Sequence, residues 1–159
     1  MTRRVVVTGL GMVSSVGHTV QESWESIKVG KSGIGTITRY DASNDLVQIA
    51  AEVKDWDPTE QYVSKKDLRR HDRYQIFCFA AAKQAMQQSG LEITDEMRAR
   101  TGVIIGSAVG GVESFREQVL LVERTGDLRK VTPFGVPMLV VNGGSNMVSI
   151  EVGAHGASY

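Results

Sequence analysis

The chain's only cysteine, Cys78, is the first residue to weigh as a nucleophile. A reactive thiolate needs access and either a helix N-terminus or a positive neighbour. Cys78 lies between Phe77 and Phe79 in a run with helical periodicity, which predicts a buried structural thiol. The three histidines, His18, His71 and His155, are dispersed and form no spaced metal-binding set. His71, between Arg70 and Asp72, is expected on a solvated helix face.

Two glycine loops have spacings that suit anions. Thr8-Gly9-Leu10-Gly11-Met12-Val13-Ser14 resembles the opening of a dinucleotide fingerprint, in which glycines let backbone approach pyrophosphate. Ser14 stands where the third glycine belongs, and the next helix begins only near Thr19, so a tight turn competes with nucleotide binding. Gly106-Ser107-Ala108-Val109-Gly110-Gly111 follows an apolar run and precedes a helix. It either cradles an anion on its amides or allows a close packing contact; it lacks the lysine of a phosphate-binding loop. Lys65-Lys66-Asp67-Leu68-Arg69-Arg70 is locally basic. It is either a solvated, salt-bridged surface or a landing place for an acidic carrier protein.

The elements that must hold these residues read as α/β layering with a mainly parallel sheet. Arg3–Thr8 and Thr101–Ile105 are expected as buried strands in one sheet, and Val47–Val53 as an edge strand ended by Asp55-Trp56-Asp57-Pro58. Thr19 and Glu22 form a capping box for a helix with Val20, Trp24 and Ile27 on one face, closed by Gly30. Residues 31–45 read as a surface loop. The clearest helix runs from Arg70 to Ser89, with Tyr74, Phe77, Cys78, Ala81, Ala82, Ala85 and Met86 as its apolar stripe and Gly90 as its stop. A short helix is expected after Thr94, another over Val112–Thr125, and a last one over Val136–Val152 with Gly143 and Gly144 inside it.

Composition narrows the classes. The chain has 159 residues, 42% hydrophobic and 23% charged, with zero formal net charge, as expected of one globular domain. The charge balance gives no electrostatic reason to expect nucleic acid or an anionic membrane. The apolar runs are too short to span a bilayer, and the expected setting is the cytoplasm.

In this order the pieces resemble one family, the elongating β-ketoacyl-acyl-carrier-protein synthases, condensing enzymes with the thiolase fold. The matching stretches are Arg4–Gly11 with Val16-Gly17, Gly30–Ile34, Ala81–Met86 with Ser89-Gly90-Leu91, Ile105–Gly111, and Pro133–Pro137 with Asn142. The chain departs from the pattern at Gly135, at Gly143-Gly144 and at His155–Ser158. The resemblance implies the N-terminal portion of a thiolase-like fold across residues 1–159. It implies decarboxylative Claisen condensation between acyl and malonyl groups on an acyl carrier protein, a homodimeric full-length enzyme, and no cofactor. By position, Val109 and Phe134 are expected to line the acyl pocket. The nucleophilic cysteine and both assisting histidines are expected beyond Tyr159, and Cys78 does not match the catalytic position. A polyketide ketosynthase segment, a non-catalytic partner subunit and a nucleotide-binding module remain the alternatives.

Overall fold

A computed structural model describes residues 3–159. Its elements in chain order are α1 (Val20–Lys28), β1 (Ile34–Thr36), β2 (Ile49–Ala51), α2 (Arg73–Ser89), α3 (Asp95–Arg98), α4 (Val112–Thr125), α5 (Gly135–Leu139) and α6 (Gly143–Val152). Single 3-10 turns cover Pro58–Glu60, Asp67–Arg69 and Leu128–Lys130.

The long helix α2 organises the rest. Its first turn is set by Asp72, whose carboxylate accepts from the Tyr74 amide at 3.0 Å while Gln75 Oε1 accepts from the Asp72 amide at 2.8 Å. This capping box starts the helix at Arg73 rather than Arg70. Gly90, at φ 62°, ends it in the left-handed conformation that glycine tolerates best. The deepest side chains of α2 are Gln75, Ile76, Phe79 and Ala80, while the expected stripe around Tyr74, Cys78 and Ala81 is only half-buried. The physical reason is that α2 is packed on several sides. Ile76 and Phe79 join Val63 and Val148 in the core, flanked by Trp56, Tyr62, Val103, Ile105 and Met147.

Helix α6 crosses α2 closely. A Cβ on Gly144 would sit 3.0 Å from Cys78 Sγ, and one on Gly143 would overlap the Gln75 side-chain amide. The two glycines therefore open a helix at a tight crossing rather than interrupt one. The single helix expected over Val136–Val152 is in fact two, because Val140 leaves helical geometry at ψ 138°. Tyr74 Oη donates to the Val140 carbonyl at this break.

The sheet is smaller than the sequence pattern suggests. Arg3–Thr8 forms no ladder among the described residues, and Val5, Val6 and Val7 are exposed. An extended run becomes a strand only where a second backbone runs beside it. The following residues are instead fixed to α2 by side chains. The Leu10 amide donates to Gln88 Oε1 at 2.6 Å and the Met12 amide to Gln84 Oε1 at 3.1 Å. A Cβ on Gly9 or Gly11 would fall on the carbonyl oxygen of Ala85 or Ala81. The second expected strand makes one parallel bridge, Val103 with Ser158, supported by the Val103 amide on Ala157 O at 2.8 Å. The edge strand is present as β2, pairing antiparallel with β1 through Ile34↔Ala51 and Thr36↔Ile49. β1 lies inside the stretch read as loop. In α1, Thr19 caps the Glu22 amide as expected, but Trp24 and Ile27 are exposed and Ser23 is the buried residue.

Candidate functional site

A buried polar group organised by one carboxylate surrounds the glycine loop before α4. Asp72, 4% exposed, accepts from the Ser114 amide at 3.0 Å and from Ser114 Oγ at 2.6 Å. Its other oxygen caps α2. One buried carboxylate thus serves the N-terminal turns of two helices, where unpaired amides and the helix dipole favour negative charge. No ion pair to Asp72 forms among the described residues. The Gln75 amide extends the group by donating to the Pro137 carbonyl in α5 at 2.9 Å.

This arrangement decides between the two readings of the loop. The Gly110 amide donates to Ser107 Oγ at 3.0 Å, Gly111 to Leu139 O at 3.1 Å, and Val112 to Gly110 O at 3.0 Å. With Ser114 given to Asp72, these donors already have internal acceptors. Two of the loop's three glycines serve close approach: Gly110, at φ 74°, and Gly111 lie against the carbonyls of Leu139 and Met138, where a Cβ would overlap, while Gly106 stands in open space. The first glycine loop is likewise consumed by packing on α2, which removes the observation that motivated nucleotide binding.

Val109 sits just before this contact and is 60% exposed. Phe134 is half-buried and caps the N-terminal end of α5, with the Arg70 guanidinium 5.2 Å from its ring centroid. Val109 therefore stands near the C-terminal end of α5 and Phe134 at its start, separated by about 8 Å of helix. A cavity of ≈ 290 Å³ beside them is lined by Arg39, His71, Asp72, Ile76, Ser114 and Met138, and by neither candidate. A wider cleft of ≈ 700 Å³ between α1 and the hairpin mixes Lys31 and Lys54 with Glu22, Glu25, Glu52 and Asp55, so it favours no one ligand charge.

The basic cluster is held beside Phe134. Lys65, Lys66 and Arg69 are exposed, and Arg70 covers the ring. The acid within the cluster, Asp67, accepts from Ser64 Oγ at 2.6 Å and from the Ser64 amide at 2.9 Å. These hydrogen bonds hold its carboxyl below the usual range. Asp67 is thereby occupied within its own turn, and Lys65, Lys66 and Arg69 face outward. Burial pushes the Cys78 thiol up, the opposite of nucleophile activation. Burial also lowers the His71 imidazole, whose Nδ1 is buried without a partner. That placement corrects the expectation of a solvated His71. His18 packs its ring 6.3 Å from Trp56, and the His155 amide donates to Arg98 O.

Sequence reasoning missed Asp72, Gln75 and Ser114. Asp72-x-x-Gln75 has the same capping spacing as Thr19-x-x-Glu22, and that signal would have found the first two. Ser114 carried no local signal.

The chain belongs to the β-ketoacyl synthase N-terminal domain family, whose model matches residues 2–159. It is 48% identical over 155 residues to 3-oxoacyl-[acyl-carrier-protein] synthase 2 of Vibrio harveyi, covering 97% of this chain and 37% of that protein. It is 43% identical to the Coxiella burnetii protein of the same name, covering 94% of this chain and 36% of the relative. Among solved structures, the ishigamide ketosynthase/chain length factor superposes with TM-score 0.82 at 25% identity, covering 99% of this chain and 39% of that one. The type II polyketide complex AntDE:AntF, an acyl-carrier protein with its ketosynthase bound to the hexaketide, superposes with TM-score 0.76 at 25% identity, over 100% and 38%. The fold is thus that of the thiolase-like ketosynthases. The chain spans little more than a third of the length of these relatives.

Proposed function

We propose that this chain is the N-terminal segment of a 3-oxoacyl-acyl-carrier-protein synthase that elongates acyl chains in fatty acid biosynthesis. The observation that carries the reading is the 48% identity to a synthase of that activity across 97% of the chain. In that chemistry an acyl group moves from its carrier to an enzyme cysteine. Malonyl carrier then loses carbon dioxide, and the resulting carbanion attacks the acyl thioester, so a carbon–carbon bond forms and the thiolate leaves. In this reading the cysteine and the assisting histidines lie outside this segment. This segment supplies scaffold, part of the acyl pocket through Val109 and Phe134, and a docking surface.

The partner is an acidic acyl carrier protein, received by Lys65, Lys66, Arg69 and Arg70. Support comes from the exposure of Lys65, Lys66 and Arg69, from the internal satisfaction of Asp67, and from the contact between half-buried Arg70 and Phe134. The full-length enzyme is read as a homodimer of the cytoplasm. A second reading, a polyketide ketosynthase, is favoured by the superposition on the type II polyketide complex AntDE:AntF.

Val109→Phe in the full-length enzyme tests the pocket. The added ring volume should shorten the longest acyl chain accepted. An unchanged chain-length profile in an active enzyme removes Val109 from the pocket. A wild-type enzyme that makes no 3-oxoacyl product from acyl and malonyl carriers overturns the proposal as a whole.

A further inference from the structure

The two pocket candidates share a mechanical origin. Val109 is followed directly by Gly110-Gly111 and α4, and Ser114 in the first turn of α4 is held by Asp72 through two hydrogen bonds of 3.0 and 2.6 Å. Phe134 begins α5, and α5 is held at Pro137 by Gln75, whose other end accepts from the Asp72 amide. α5 in turn supports the loop, because the Gly111 amide donates to Leu139 O and Gly111 lies 3.1 Å, by its Cβ position, from Asp72 Cβ. Both arms of the pair therefore run back to one buried turn at the start of α2. A carboxylate is well suited to this place. It has acceptor capacity for both helix N-termini at once, and a neutral side chain would leave one set of donors unpaired in a buried site.

We propose that Asp72 is a positioning residue for acyl-chain selection: its carboxylate, through Ser114, fixes the loop that carries Val109 relative to α5 and Phe134, while the Gln75 arm is held by the backbone amide of the same turn. The proposal rests on the reading of those two residues as pocket lining. Its consequence is that the clamp can be loosened without touching the pocket wall, and the range of chains accepted then changes.

The test uses the full-length enzyme and measures kcat/KM over acyl carriers of increasing chain length. Asp72→Ser keeps one oxygen to cap the Tyr74 amide but removes the oxygen that holds Ser114. Ser114→Ala removes only the 2.6 Å hydroxyl bond, and Ser114→Thr restores a hydroxyl. The ratio of kcat/KM for the longest to the shortest chain is expected to change about tenfold in Asp72→Ser, because small displacements of a binding wall are felt steeply. Ser114→Ala should move the same ratio by about threefold, and Ser114→Thr should bring it back. A purely structural role predicts parallel losses at every chain length, with the ratio unchanged. That outcome, together with a shifted profile in Val109→Phe, overturns the proposal while leaving the pocket reading intact. If Val109→Phe also leaves the ratio unchanged, the pocket reading itself fails. If Asp72→Ser does not fold, Ser114→Ala and its threonine rescue decide the matter alone.

Discussion

Replacing Gly143 by alanine tests the crossing of α2 and α6 most directly. The added Cβ would overlap the Gln75 side-chain amide and lie 2.7 Å from Tyr74 Oη. Gln75 is 2% exposed and cannot swing into solvent without leaving its place. Moving it breaks its 2.9 Å bond to Pro137 O and strands a buried amide and carbonyl, a cost of about 1–3 kcal/mol. Overpacking adds about 1–3 kcal/mol. Alanine returns at most about 1 kcal/mol of helix propensity, and less at the first helical position than in the interior. The expected net loss is about 3 kcal/mol, read as a lower urea midpoint at unchanged slope. A double-mutant cycle with Gln75→Ala isolates the cause, since removing the amide should relieve about 1 kcal/mol or more of the alanine penalty. Wild-type stability for Gly143→Ala, or strict additivity with Gln75→Ala, would refute the reasoning.

Gly11→Ala should cost about 3 kcal/mol in the same assay, because its Cβ would meet the Ala81 backbone carbonyl, which no side-chain rotation can clear. An unchanged midpoint would show that residues 9–12 do not lie on α2. His71 gives a pH dependence of definite sign. Its folded pKa is lowered by burial, so between the folded value and about 6.5 the unfolded chain binds more protons. Its contribution is full above that window and is lost as pH falls through it; His71→Leu should flatten the stability profile there, and an unaltered slope would count against a buried neutral imidazole. Cys78, with its thiol pushed up, should react with iodoacetamide at pH 8 about tenfold or more slowly than free cysteine, and a matching rate would contradict its burial.

Much of this was legible where local chemistry decides local structure. α4 has the bounds its periodicity implies, and Gly90 ends α2 where a left-handed residue is needed. The start of α2 was misplaced by three residues because Asp72, not the apolar pattern, fixes it. β1 was hidden because Ile34-Gly35-Thr36 is too short for alternation to register, and its existence depends on β2. The last helical stretch breaks at Val140, just before Gly143-Gly144, where its carbonyl accepts a tertiary bond from Tyr74 that no window of sequence contains. The site divides in the same way. Val109 and Phe134 came from family resemblance and the basic cluster from plain charge. The clamp that joins Asp72 to Ser114 spans 42 positions and becomes visible only in three dimensions.

The α2–α6 crossing also bears on how the chain folds. The two helices are separated by roughly fifty residues, so their contact closes a long loop. α4 and α5, by contrast, are neighbours in sequence and can meet early. During synthesis at about 5–20 residues per second, α2 emerges several seconds before α6, so Ile76 and Phe79 meet Val63, Trp56 and Tyr62 first and are only partly covered until Val148 arrives. Docking of α6 is then the slow, high-contact-order step, and the nascent chain presents its stickiest surface during that interval.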